Sequence, residues 1–177
     1  MSVSSSQPDE KTKDKNGVGF VFHKDIDPVT DVSFVSERII RTRVNLGKNS
    51  FTVLKVYTPQ QGCSEEEKTK LLEDQVREDN IMIIGDLTAQ IGTDRNGYEV
   101  VMGTFGYGRR NVESKEILYL CTRNHLLVMN TFFKKPGSHK ITRYGWDGKS
   151  KTVIDYILMD KLIGGKVRGT VIPSEPL

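Results

Sequence analysis

Cysteine is scarce in this chain: two, Cys63 and Cys121, among 177 residues. Their spacing fits neither a metal-ligand pair nor a disulfide framework, which points to a reducing compartment. No apolar run approaches membrane-spanning length, and the N-terminus has no apolar signal segment. The expectation is therefore an intracellular protein, nuclear or cytoplasmic, that is not secreted and has no membrane partner. Phosphate-binding motifs are missing too. There is no Gly-Lys-Ser/Thr loop, and Gly106-Tyr107-Gly108 lacks the third glycine and the strand–helix setting of a dinucleotide loop, so no nucleotide cofactor is expected. Asp94-Arg95-Asn96-Gly97 fails the spacing of a calcium loop. The charge balance is mild: a net +3 permits nucleic-acid binding without arguing for it.

What the chain does contain is one short buried strand with a carboxylate at its end, Ile81-Met82-Ile83-Ile84-Gly85-Asp86. Four apolar residues in a row are too few for a helix and suit a strand covered on both faces. An acid at the carboxyl end of such a strand sits where α/β crevices open. It equally suits a residue that only caps the turn Leu87-Thr88-Ala89-Gln90.

Around that strand the pattern predicts the following order. Residues 1–16 are polar and charged, a disordered tail; 17–177 form one domain. Gly17–His23 is a strand with Val18, Phe20 and Phe22 on one face, and Lys24–Val35 a loop. Glu37–Leu46 alternates, with Ile40, Thr42, Val44 and Leu46 together. A hairpin turn at Gly47–Ser50 leads to Phe51–Thr58, with Phe51, Val53, Lys55 and Tyr57 on one face. Ser64 and Glu67 form a capping box for a helix over about Glu65–Glu78, a crossover into the Ile81 strand. A Gly-rich connection follows, then a helix capped by Asn111 whose Ile117, Leu118, Leu120 and Cys121 face the core. Leu126–Met129 is a strand continuing towards Phe133. Lys134–Lys151 is a loop or hairpin, and Val153–Met159 a strand.

Asp155 lies inside that last strand, on the face of Val153, Ile157 and Met159. A carboxylate there needs backbone amides, an arginine such as Arg38, or a working role. Two strand-borne acids, Asp86 and Asp155, suggest general-base or metal chemistry on a phosphate ester.

Six short motifs occur in order: Asn16-Gly17-Val18-Gly19-Phe20, Ser36-Glu37-Arg38-Ile39, Val56-Tyr57-Thr58-Pro59, Ile84-Gly85-Asp86-Leu87-Thr88-Ala89, Asn130-Thr131-Phe132-Phe133 and Ile154-Asp155-Tyr156-Ile157-Leu158. Together they resemble the endonuclease/exonuclease/phosphatase superfamily, in particular non-LTR retrotransposon endonuclease domains and the craniofacial development protein 2-like proteins. The resemblance implies an α+β fold, here an incomplete four-layer α/β/β/α sandwich of two facing mixed sheets with outer helices. It implies cleavage of DNA phosphodiesters with magnesium. By the same resemblance Asp86 orients or activates the attacking water, Asp155 holds a catalytic histidine, Tyr57 contacts the scissile phosphate, and Thr142 lies near the site.

The departures are specific. The family's Gly-Asp-Phe-Asn reads Gly85-Asp86-Leu87-Thr88, so a hydroxyl stands where the amide would position the phosphate or nucleophile. Glu10 is the one glutamate before the first motif, in a lysine-rich stretch that does not suit the family's metal ligand, and His23, His125 and His139 do not match its histidine. The metal ligands therefore stay unassigned. The expectation is weak or absent cleavage, low stability, and open sheet edges that invite self-association. Binding could outlast cleavage: Lys134, Lys135, Lys140, Arg143 and Trp146 lie in a basic stretch interleaved with aromatics, which suits phosphate contact and base stacking. The same stretch suits a solvated hairpin whose Trp146 covers the core edge. Three readings compete: a phosphodiesterase with an unorthodox metal site, a nucleic-acid or protein binding module, and a non-functional fragment.

Overall fold

A computed structural model describes residues 2–4, 19–21, 29–36, 38–46, 49–57 and 80–168. The fold is α+β, built on one mixed six-stranded sheet with the order β3-β4-β5-β6-β10-β7. Its strands are β3 (Val29–Ser36), β4 (Ile39–Leu46), β5 (Asn49–Tyr57), β6 (Ile81–Asp86), β7 (Leu126–Val128) and β10 (Asp155–Asp160). Among the described residues two short antiparallel pairs complete the strands: β1 (Ser2–Ser4) with β2 (Gly19–Val21), and β8 (Arg143–Tyr144) with β9 (Lys151–Thr152). Helix α1 is Ser114–Arg123 and α2 is the single turn Lys161–Gly164.

The alternating segments form the strands expected of them. β4 and β5 are antiparallel and close at Leu46↔Asn49, the register of a tight hairpin. β5 and β6 run parallel, which requires the anticipated crossover; its predicted helix, Glu65–Glu78, lies outside the described residues. One sheet face, carrying Leu54, Val56, Ile83, Tyr156 and Leu158, packs on Ile117, Leu118, Leu120 and Cys121 of α1. Those four α1 residues fall at helical spacing on one stripe. On the opposite face Phe20 of β2 covers Ile40 together with Val32, Val53 and Ile84, so the small β1–β2 sheet faces the large one.

Three expectations are corrected. Ser2–Ser4, placed in a disordered tail by composition, pairs with Gly19–Val21; a ladder is made of main-chain bonds and needs no apolar side chains. Val29–Ser36, read with its neighbours as a loop because of Pro28 and the aspartates, is the edge strand β3. An edge tolerates Asp31, which is exposed, and this one is interrupted by register shifts. The strand expected to run from Leu126 towards Phe133 stops at Val128 and becomes a 3-10 turn, Met129–Thr131. The Thr131 hydroxyl donates to the Val128 carbonyl at 2.7 Å, which favours the turn over further pairing. Among the described residues no helix is long and apolar enough to cross a membrane.

Candidate functional site

Sheet register brings three distant residues into one row. Tyr57 pairs with Asp86 across the parallel β5–β6 ladder, and Asp86 pairs with Asp155 across the antiparallel β6–β10 ladder. Paired residues share a face, so Tyr57, Asp86 and Asp155 stand side by side at the end of the sheet. Directly opposed antiparallel residues have Cα atoms about 4.5–5.5 Å apart.

Gly85 makes the row feasible. Its φ is +146°, and a Cβ built there would sit 1.8 Å from the Val56 carbonyl oxygen. A side chain would force β5 away from β6 and with it Tyr57 from Asp86. Beyond Asp86 the chain turns sharply. The Thr88 N–H donates to Asp86 Oδ1 at 2.7 Å, with Thr88 at φ +51°. This is the turn-capping geometry that competed with a working role, and the structure contains it.

Asp86 is half-buried, and its carboxyl is held above the usual value of 3.8. Desolvation is the main cause and the Asp155 charge adds to it; the Thr88 N–H, Arg143 and Lys55 act in the opposite sense. Arg143, expected only among the nucleic-acid contacts, is thus also an electrostatic neighbour of Asp86. Lys55 was not singled out, although alternation places it on the Tyr57 face, where it pairs with Ile84.

Asp155 is half-buried and held through its backbone. Its N–H donates to Thr142 Oγ1 at 3.2 Å, and its carbonyl accepts from Asn130 Nδ2 at 3.1 Å. Thr142 Oγ1 also accepts from Ile154 N at 3.1 Å, and Asn130 Oδ1 accepts from Ile157 N at 2.9 Å. Thr142 and Asn130 therefore fix where β10 starts. Arg38, one candidate partner for Asp155, has its guanidinium 5.9 Å from the Tyr57 ring centroid.

The basic stretch divides into distinct places. Lys134 is exposed, and Lys140 is tied down, its Nζ donating to Phe105 O at 2.8 Å and Gly106 O at 3.3 Å. The β8–β9 hairpin carries Trp146 at its tip, 105% exposed, so Trp146 does not cover the core edge. The tip is braced beneath it. Asp147 accepts from Lys149 N, Ser150 N and Ser150 Oγ at 2.7–3.0 Å, and these bonds hold its carboxyl below the usual range.

Asp86 and Asp155 are hard oxygen donors of the kind a divalent cation takes. Among the described residues, however, no group of three or more His, Cys, Asp or Glu stands together. His125 and His139 are exposed and complete no such cluster. These side chains do not make a resident metal site on their own.

No protein-family model matches the chain. It is 28% identical to craniofacial development protein 2 of Bos taurus over 152 residues, covering 81% of this chain and 25% of that protein. The identity to craniofacial development protein 2 of Tragulus javanicus is also 28%, covering 26% of it. The chain thus spans about a quarter of the length of these curated relatives. In structure it matches the endonuclease domain of TRAS1, a telomere-specific non-LTR retrotransposon, with a TM-score of 0.57 at 10% identity, over 83% of this chain and 61% of that domain. The resemblance carried by the six ordered motifs stands: the sequence relatives are craniofacial development proteins 2, and the fold is that of a retrotransposon endonuclease domain.

Proposed function

We propose that residues 17–177 form an endonuclease-type domain of retroelement origin that binds DNA across the Tyr57–Asp86–Asp155 row and cleaves it weakly or not at all. The observation that carries this reading is the shared register of Tyr57, Asp86 and Asp155. A phosphodiester seated there meets Tyr57 as a contact to the phosphate and Asp86 as the acceptor that orients a water. Asp155 is the second acid beside it, set by Thr142 and Asn130.

Weak cleavage is supported from the same side chains. Thr88 sits where the resembling family has an asparagine, and its backbone N–H is spent on Asp86. The magnesium ion the family implies would find Asp86 and Asp155 here, and among the described residues no group of three or more His, Cys, Asp or Glu to hold it. Binding is supported by Arg143, an electrostatic neighbour of Asp86, by the basic stretch of Lys134, Lys135 and Lys140, and by the unburied Trp146. Among the described residues β3 is the last strand of the sheet, and such an edge gives self-association a route.

The test pairs two assays on the purified chain. Duplex affinity should fall steeply with salt, and Lys134→Ala with Lys135→Ala should reduce that slope. Supercoiled plasmid with millimolar magnesium should be nicked at background level. Nicking that Asp86→Ala abolishes would make the chain an active nuclease, and no duplex binding at low salt would remove the nucleic-acid reading altogether.

A further inference from the structure

Beside the backbone of Asp155 lies a small cleft of about 30 Å³, room for one or two occupants the size of water. Asn130 and Thr142, which hydrogen-bond that backbone, form part of its wall. What the wall offers an occupant is set by its protons and lone pairs. Asn130 Oδ1 already accepts from Ile157 N, and Asn130 Nδ2 gives one of its two protons to Asp155 O. The second proton has no acceptor among the described residues. Thr142 Oγ1 accepts from Ile154 N at 3.1 Å and from Asp155 N at 3.2 Å, which uses both of its lone pairs. Its own proton likewise has no acceptor among the described residues. Lys140 Nζ gives two protons to Phe105 O and Gly106 O and keeps the third, with the charge.

The other side-chain oxygens on the wall are committed. Thr131 Oγ1 accepts from Gly103 N and donates to Val128 O. Tyr156 Oη accepts from Ile91 N and donates to Val153 O. Tyr107 also lines the cleft, and its hydroxyl can donate. Among the described residues no Asp or Glu lines it, while Lys135 adds a second ammonium. Nor can the cleft collapse from the Gly106 side, where a Cβ would already lie 2.1 Å from Gly92 O. Surplus N–H and O–H protons and positive charge thus converge on one small space. Half-buried donors left unmade are costly. A water there would bring two more protons to a wall short of acceptors. A monoatomic anion brings none and accepts from each donor.

We propose that this cleft binds one chloride ion between Asn130 Nδ2, Thr142 Oγ1 and Lys140 Nζ, and that the ion steadies the start of β10 and with it Asp155. The ion is a fixed part of the fold, and its binding asks nothing of DNA binding or cleavage.

Thermal unfolding of the whole chain is followed in sodium chloride and in sodium gluconate, whose anion is too bulky for the cleft, at equal and low ionic strength. Chloride at about ten times its Kd should multiply the folded-to-unfolded ratio about elevenfold and raise Tm by roughly 3–6 °C over gluconate. Lys140→Met and Thr142→Val should each abolish that increment, whatever they do to Tm in gluconate. Thr142→Ser should retain it, and Lys149→Ala, outside the cleft, should keep it in full. Where a variant does not fold, the wild type still decides. A crystal grown with bromide in place of chloride should show bromide scattering between Asn130, Thr142 and Lys140. Equal midpoints in chloride and gluconate, or bromide bound only elsewhere, would overturn the proposal. So would a gain from inorganic phosphate that Thr142→Val abolishes, because the cleft would then belong to a phosphate.

Discussion

Replacing Asp155 by asparagine should stabilise this protein at neutral pH. Asp155 and Asp86 are directly opposed across β6 and β10, and both are half-buried. Like charges opposed in a sheet cost up to about 1 kcal/mol relative to neutral pairs. Partial burial strengthens the repulsion, and Arg143 and Lys55 offset part of it. Asparagine keeps the shape, and the bonds from Thr142 and Asn130 go to the Asp155 backbone, so they survive. The expected gain is about 0.5–1 kcal/mol, or roughly 1–4 °C in Tm for a chain of this size. The pH dependence follows from Asp86, whose folded pKa is raised above 3.8. A raised acid contributes stability that is fully present below its unfolded pKa and is lost as pH rises through its folded pKa. Wild type and Asp155→Asn should therefore unfold alike in strong acid and diverge as pH climbs above about 4. Asp86→Asn should gain at least as much, because desolvation of Asp86 outweighs the repulsion from Asp155 and the amide oxygen still accepts from Thr88. Urea unfolding of the three proteins from acid to neutral pH measures this. A variant less stable than wild type at neutral pH, or a gap of the same size in acid, would refute the repulsion argument.

Other outcomes follow from single contacts. Gly85→Ala should cost more than about 3 kcal/mol or prevent folding, since its Cβ would collide with the Val56 carbonyl; circular dichroism with urea titration reads this. Tyr156→Phe should cost about 1–3 kcal/mol in the same assay, because its hydroxyl accepts from the buried Ile91 N–H at 3.1 Å and donates to Val153 O at 2.9 Å. Trp146→Ala should leave stability within about 0.5 kcal/mol. It should nevertheless lower single-strand affinity about 5- to 100-fold in fluorescence anisotropy, the worth of one stacked base.

The elements legible in the sequence are those whose apolar residues follow the period or the run length of the element they form. β4 and β5 are legible from their alternation, α1 from its apolar stripe down to the buried Cys121, and β6 from its short apolar run. β3 was hidden because an edge strand has water on one side and needs little hydrophobicity. The 3-10 turn after Val128 was hidden because one side-chain hydrogen bond decided it. Asp86, Tyr57 and Asp155 were each legible as strand-borne polar residues, but their meeting was not. It depends on the offset between strands far apart in sequence, and side-chain pattern constrains an offset only modulo two residues. Lys55 was missed for that reason, since only the β5–β6 register carries its charge near Asp86.

That dependence on register shapes how the site can fail. Each member of the row sits on a different strand, and ladder hydrogen bonds, not loops, set its spacing from the next. Shifting β6 by one residue against β5 would turn Asp86 to the core face and bring Gly85 opposite Tyr57, so a partly shifted site is not available. Gly85 opposes such a slip because the close approach of the Val56 carbonyl suits a residue without a Cβ. The row should thus be an all-or-none property of the folded sheet. Changes in the loops around it, Asn130 and Thr142 apart, should alter binding or cleavage without altering its geometry.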